Sequence, residues 1–202
     1  MVASDDTRRY NTPRTMEDAS LLAYAVLGLL QQQPRSGYDL RKLFARTPLG
    51  TFSDSPGAIY PALQRLEKRR FASSRVHASS GLRRRRLFRP TTSGKRAFKA
   101  WQTRAVTSDD VIHRLDELML RFSFMDETAG SAQAMRFLKA LAKELAAHIP
   151  NLRRFLRGQG SRMPLSGRLS VESGIRSYET LLAWARSALG IYKRRKKRGA
   201  RK

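Results

Sequence analysis

The 202-residue chain contains no cysteine. That absence excludes disulfides, thiolate catalysis, iron–sulfur clusters and cysteine-ligated zinc fingers. Acidic residues are scarce: 16 Asp and Glu stand against 41 Lys and Arg, giving a formal charge of +25 and a pI near 11.6. Such an excess argues against a self-contained neutral enzyme. It points to a polyanionic partner, nucleic acid before an anionic membrane surface. Long hydrophobic runs are missing as well. The longest, Leu21 to Leu30, is ten residues and includes Tyr24 and Gly28, well short of the roughly 18 of a membrane span. The first residues mix acids with bases and do not form a signal peptide. The expectation is a soluble, cytoplasmic protein with no membrane partner.

Catalytic parts are missing too. His77, His113 and His148 are scattered, and none has a metal-ligand spacing such as H-x-x-x-H. No Walker loop is present, and Gly158-Gln159-Gly160 follows a helical pattern where a phosphate cradle would follow a strand. Asp109-Asp110 and Asp116-Glu117 are adjacent pairs, and adjacent residues on a helix do not face each other as an acid/base dyad. The reading is no enzyme, no metal and no cofactor.

What is present is charge in two places. Residues 1–19 carry a net −1, residues 20–106 a net +15, residues 107–192 a net +3, and residues 193–202 eight bases with no acid. With hydrophobic residues at 41% the chain has material for a core, unlike a wholly disordered basic protein. The division read from this is a flexible arm (1–19), a basic DNA-binding module (20–106), a helical module (107–192) and a basic tail (193–202).

Within the basic module, Leu21, Leu22, Ala25, Val26, Leu29 and Leu30 follow helical spacing from Ser20 to Gln33, with Ser20 as N-cap and Pro34 ending the helix. A second helix runs from Gly37 or Tyr38 to Ala45, with Leu40, Leu43 and Phe44 inward. A third is expected to start at Ser55-Pro56 and run to about Arg69, burying Ile59, Leu63 and Leu66. Its opposite face presents Gly57, Tyr60, Pro61, Gln64 and Lys68. Small residues there let the backbone approach a surface, Tyr60 and Gln64 can exchange hydrogen bonds with base edges, and Lys68 can reach a phosphate. An ordinary solvated helix face is the competing reading. Two strands, Phe71 to Val76 and Leu82 to Arg89, follow around Ala78-Ser79-Ser80-Gly81. Arg83 and Arg85 alternate with Arg84 and Arg86 across the second strand. A helix from Thr92 to about Arg104 closes the module. Helix, helix, helix, basic hairpin is the winged helix-turn-helix plan.

The segments Ala25-Val26-Leu27-Gly28-Leu29-Leu30, Ser36-Gly37-Tyr38-Asp39-Leu40, Gly57 through Glu67 and Thr91-Thr92-Ser93-Gly94 resemble, in order and spacing, the PadR-like transcriptional regulators. The resemblance covers residues 20–105 and continues more weakly through Leu115 to Phe124. Departures are local. Arg70 stands where the family usually has a glycine, at a position where a left-handed residue is favoured. Leu87, Phe88 and Pro90 stand where the wing usually carries paired tyrosines and a leucine, and Phe52 replaces a tryptophan before helix 3. The resemblance implies a dimeric repressor released from DNA by a small, often aromatic, ligand. The candidate DNA-binding set is Tyr38, Ser55, Gly57, Tyr60, Pro61, Gln64, Arg65, Lys68, Arg83, Arg84, Arg85 and Arg86.

In the helical module, Leu115, Leu118, Met119 and Phe122 mark a short helix. Leu138, Leu141, Leu145, Ile149, Leu152 and Leu156 mark a longer one over 132–156, which Pro150 should kink or split. Residues 158–167 read as a glycine-containing linker. Val171, Ile175, Tyr178, Leu182, Ala185, Leu189 and Tyr192 then recur in steps of four and three, three heptads of a packing seam. The candidate homodimer interface is Val171, Ile175, Tyr178, Leu182, Ala185 and Leu189, and an intramolecular bundle would explain the same seam. Trp101, Tyr178 and Trp184 are candidates to line a ligand pocket, with core packing the plainer alternative for each.

The fold class expected is mainly α with a small β-hairpin wing: an N-terminal winged helix-turn-helix plus a C-terminal helical dimerisation domain. The expected function is a dimeric regulator that binds a near-palindromic operator in double-stranded DNA as a repressor and responds to a small molecule. The alternative is a basic protein that binds nucleic acid through charge alone, and a third reading is a metabolite sensor whose DNA contact has drifted.

Overall fold

Ser20 begins the first helix by accepting the Ala23 amide on its hydroxyl at 3.3 Å, and everything N-terminal to it lies outside the residues described by the computed structural model. Those are 20–52, 57–77 and 84–199. They fall into two units, one up to Trp101 and one from Gln102.

In the N-terminal unit, α1 (Leu21–Gln32) is buried on every side from Leu22 to Leu30, as a helix hydrophobic all round must be. After it come β1 (Arg35–Ser36) and α2 (Gly37–Arg46), then a 3₁₀ turn at Pro48–Phe52. Helix α3 (Ile59–Lys68) buries Ile59, Ala62, Leu63 and Leu66, and β2 (Ala72–His77) pairs antiparallel with β3 (Arg85–Pro90). The two-residue β1 was not foreseen; it pairs Arg35 with Phe88 and Ser36 with Leu87, giving sheet order β1-β3-β2. The strands begin one and three residues later than the sequence suggested, and the expected turn at Ala78–Gly81 falls outside the described residues. Helix α4 (Thr92–Thr103) closes the unit, its Trp101 stacked on Tyr24 with ring centroids 4.0 Å apart.

The expected start of α3 at Ser55-Pro56 is corrected: residues 57 and 58 form a turn and the helix begins at Ile59, with no side-chain cap on Ala58. Pro61 explains the shift. At the third helical position its missing N–H is one of the donors that has no helical acceptor anyway; a helix begun at Pro56 would place it in the interior, where it breaks a bond and clashes.

The joint between α3 and the sheet is a Schellman turn. The Phe71 amide donates to the Leu66 carbonyl (2.8 Å) and the Arg70 amide to Glu67 (2.8 Å). Arg70 has φ 58°, the left-handed conformation that the sequence comparison placed there. The hydroxyls of Thr91 and Ser93 both donate to the Arg70 carbonyl, at 2.7 and 2.8 Å. Gly94 sits so close behind that a Cβ would fall 1.9 Å from the Phe71 carbonyl oxygen.

The C-terminal unit is helical: α5 (Ser108–His113), α6 (Leu115–Ser123), α7 (Met125–Thr128), α8 (Ser131–Gln159) and α9 (Leu165–Gly199). Leu118, Met125, Phe137, Leu138, Leu141, Leu145 and Ala185 form its core. Of the kink or split expected at Pro150, the split does not occur: α8 runs through it as one helix. Pro150 and Ala146, whose carbonyl loses its partner, are both exposed, so water can satisfy that oxygen. The expected linker over 158–167 shrinks to the five residues 160–164, and α9 packs back antiparallel along α8. Arg121 is fully buried and, among the described residues, has no carboxylate bonded to it. Its Nε donates to the Gln102 backbone carbonyl (3.2 Å) and its Nη2 to that of Arg104, while the Gln102 side-chain Nε2 donates back to the Arg121 carbonyl (3.1 Å). Burial, reinforced by the charge of Arg104, pushes its pKa down to about 10.

Candidate nucleic-acid interface

The capping box at the start of α2 sets the first wall of the site. Asp39 accepts from the Ser36 amide (3.1 Å) and hydroxyl (2.7 Å), and the Ser36 hydroxyl accepts from the Asp39 amide (3.2 Å). The Ser36 hydroxyl holds the Asp39 carboxyl below its ordinary pKa; burial opposes this, and the Ser36 amide, Arg85 and Arg35 add to it. The cap places Tyr38 outward, 53% exposed, with the Arg41 guanidinium 5.6 Å from its ring centroid.

Helix α3 supplies the floor and β3 the opposite wall. Together they enclose an open groove of about 690 Å³ lined by Ser36, Gly37, Tyr38, Arg41, Tyr60, Leu63, Gln64, Arg84, Arg85, Arg86 and Phe88. Six of the candidate DNA-binding residues thus share one surface: Tyr38, Tyr60, Gln64, Arg84, Arg85 and Arg86. Gly57, Pro61, Arg65 and Lys68 are exposed but do not line the groove. Arg65 turns back, its Nε donating to the Pro61 carbonyl at 3.2 Å. Ser55 and Arg83 lie outside the described residues.

The arginines of the wing differ in what they touch. Arg86 shares the buried side of the strand with Phe88, and its guanidinium lies 5.2 Å from that ring. Its Nη2 meets Glu67 Oε2 at 2.7 Å, its Nε donates to Ser74 Oγ at 2.7 Å, and Ser74 Oγ donates to Glu67 Oε1 at 2.6 Å. The wing is therefore clamped to the C-terminal end of α3. Arg84 and Arg85 are exposed and make no ion pair among the described residues. Sequence reasoning missed Arg41, which its spacing three residues after Tyr38 would have revealed, and Glu67 and Ser74, whose partner is remote in sequence.

A family model, the transcriptional regulator PadR-like family, matches residues 26–100. The negative transcriptional regulator PadR of Bacillus subtilis (strain 168) is 32% identical over 127 residues, which are 62% of this chain and 68% of that protein. The chain belongs to the PadR-like family of transcriptional regulators. The crystal structure of Bacillus subtilis PadR in complex with operator DNA aligns over 85% of this chain and 99% of its own, at 24% identity and TM-score 0.40. The same regulator in complex with p-coumaric acid aligns over 86% and 96%, at 21% identity and TM-score 0.38. In this PadR-like chain no described helix is long and apolar enough to cross a membrane.

The residues assigned to a ligand pocket are engaged inside their own units. Trp101 stacks on Tyr24 in the N-terminal unit. On α9, Tyr178 meets His148 edge-on at 4.9 Å, and Trp184, 38% exposed, meets Phe122 edge-on at 5.3 Å. The seam of α9 is used within the chain: Ile175 and Ala185 are already buried, and Tyr178, Leu182 and Leu189 pack partly buried on the core of the unit. Val171 is half-buried.

Proposed function

We propose that this PadR-like regulator binds a near-palindromic operator as a homodimer and represses transcription in the cytoplasm until a small aromatic molecule releases it. The observation that carries the reading is the groove. It gathers hydrogen-bonding side chains of α2 and α3, Tyr60 and Gln64 foremost, beside cations from the wing. Base-edge readers flanked by phosphate contacts are what sequence-specific recognition of a duplex requires. The net +15 of residues 20–106 supplies attraction at longer range.

The dimeric part rests on what α9 leaves uncovered. Val171, Leu182 and Leu189 remain partly exposed, and Trp184 and Ile191 are more so. A second copy covering them would make a homodimer with two recognition helices, and half-sites one DNA turn (~34 Å) apart are what such a dimer reads in a near-palindromic operator. Repression follows the 32%-identical negative regulator. The aromatic-ligand part rests on Phe122, Phe137 and Trp184, a ring cluster with an exposed edge in the C-terminal unit.

The test is a titration at about 150 mM salt against the DNA upstream of the protein's own gene, with scrambled DNA as competitor. A specific site should win by roughly 10³-fold or more. Tyr60→Ala and Gln64→Ala should erode that preference. Equal affinity for every duplex would instead favour the charge-driven binder.

A further inference from the structure

Helix α9 outlasts its own packing. Its half-buried positions end at Tyr192, and the next six residues, Lys193 to Arg198, are helical, exposed and all basic. Six successive residues at 100° each cover the whole circumference, so the charge rings the helix. Among the described residues only Arg195 faces a carboxylate, Asp126 at 4.0 Å, with both side chains well exposed. Lys193, Arg194, Lys196, Lys197 and Arg198 form no ion pair among the described residues, and the sequence has no acid after Glu179. One or two cations suffice to complement the C-terminal end of a helix dipole. The remainder repel each other at spacings of three and four, so helix stability alone does not account for them.

We propose that Lys193–Arg198 form a second phosphate-binding surface, one that holds duplex DNA without reading its sequence. The inference rests on the operator-binding reading, because the tail is tethered through the same chain to the N-terminal unit, whose groove would bring duplex to it at raised effective concentration. A membrane surface does not fit: an interfacial helix needs an apolar face, and residues 193–199 contain no large apolar side chain. A surface that contacts phosphates only contributes through counterion release, so its signature is salt dependence without selectivity.

The test compares the full chain with a variant carrying K193Q, R194Q, R195Q, K196Q, K197Q and R198Q, and with the intermediate R194Q/K197Q. Glutamine keeps the helix propensity, and circular dichroism checks that the helix persists. Affinities for the upstream duplex, a random duplex and single-stranded RNA of equal length are measured from 50 to 250 mM NaCl. For both duplexes the slope of log affinity against log salt should become shallower by about 2–4 in the six-fold variant, with an intermediate value in the double one. Random-duplex affinity at 100 mM should fall about 10²-fold or more. The preference for the upstream duplex should stay within about twofold. An unchanged duplex slope overturns the proposal, as does a change confined to RNA. If the unmodified chain shows no preference for the upstream duplex, the operator reading fails, while a shallower slope on random duplex still upholds the second surface.

Discussion

The ring of Tyr60 on α3 lies against Gly37 at the start of α2, so close that a Cβ on residue 37 would stand 2.6 Å from Tyr60 Cε1. The glycine is there because the ring is there. Gly37→Ala should therefore turn the 48%-exposed Tyr60 ring out of place while leaving the fold intact, since the ring can swing into solvent. Thermal unfolding should show a change below about 1 kcal/mol. Preference for operator over random DNA should fall by about 1–3 kcal/mol, the scale of one base-reading contact. An unchanged preference would remove Tyr60 from the reading surface.

Arg84, just before β3, and Arg86 within it are only two residues apart yet should behave differently. Arg84 is exposed and unpaired among the described residues, whereas Arg86 is held by Glu67 and Ser74. Arg84→Ala should weaken all duplexes alike and reduce the salt slope by about 1. Arg86→Ala should move the slope much less. Its effect should appear in stability, at about 0.2–1 kcal/mol for a partly exposed pair. Equal slopes for the two variants would mean that the clamp opens on DNA.

Much of this was legible in the chain because short-range chemistry specifies it. Helix α1 and its Ser20 cap and the inward faces of α2 and α3 follow from periodicity and capping, and the left-handed residue at Arg70 was implied by the resemblance to a family that usually has glycine there. The groove was legible as residues but not as a shape. Glu67 and Arg86 are 19 positions apart, and no local pattern announces that they meet. β1 escaped notice because two residues cannot show alternation. At Pro150 the split that the sequence offered beside a kink does not follow, because a long helix packed on its neighbour, with the proline turned to water, outweighs the lost backbone bond. The heptads of α9 were read correctly as a seam, but a stripe of apolar residues does not say whether its partner is α8 or another chain.

Arg70 carries a cost that can be measured. An L-residue with a side chain pays roughly 1–2 kcal/mol in the left-handed region, which glycine does not. Arg70→Gly should raise stability by about 0.5–1 kcal/mol after the glycine's greater unfolded-state entropy is set against it. Urea midpoints of the two proteins at one salt concentration check this. A loss of stability would show that the Arg70 side chain makes contacts worth more than the strain it imposes.

Asp110 makes stability depend on acid. The residue is buried and joins α5 to its surroundings: Oδ2 accepts from the Thr107 amide (3.0 Å) and hydroxyl (2.9 Å), and Oδ1 from Arg104 (2.9 Å) and Arg114 (2.8 Å). Burial pulls its pKa up, but the bonds from Thr107 and Arg114, with the charge of Arg104, outweigh it and leave the carboxyl below its ordinary value. A carboxyl whose folded pKa lies below its unfolded value of about 3.9 stabilises the protein above roughly pH 4, and that contribution is lost as pH falls through the folded value. Asp110→Asn removes the charge and sets an amide donor against the Thr107 donors, so it should cost about 1–3 kcal/mol at pH 7. Unfolding both proteins in urea at pH 7 and again near pH 3 separates the two contributions. The gap between them should narrow at the lower pH, which lies below the unfolded pKa, because the unfolded carboxyl takes up a proton there more readily than the folded one. A gap that stays the same would show that the shape of the Asp110 side chain, and not its charge, holds α5 in place.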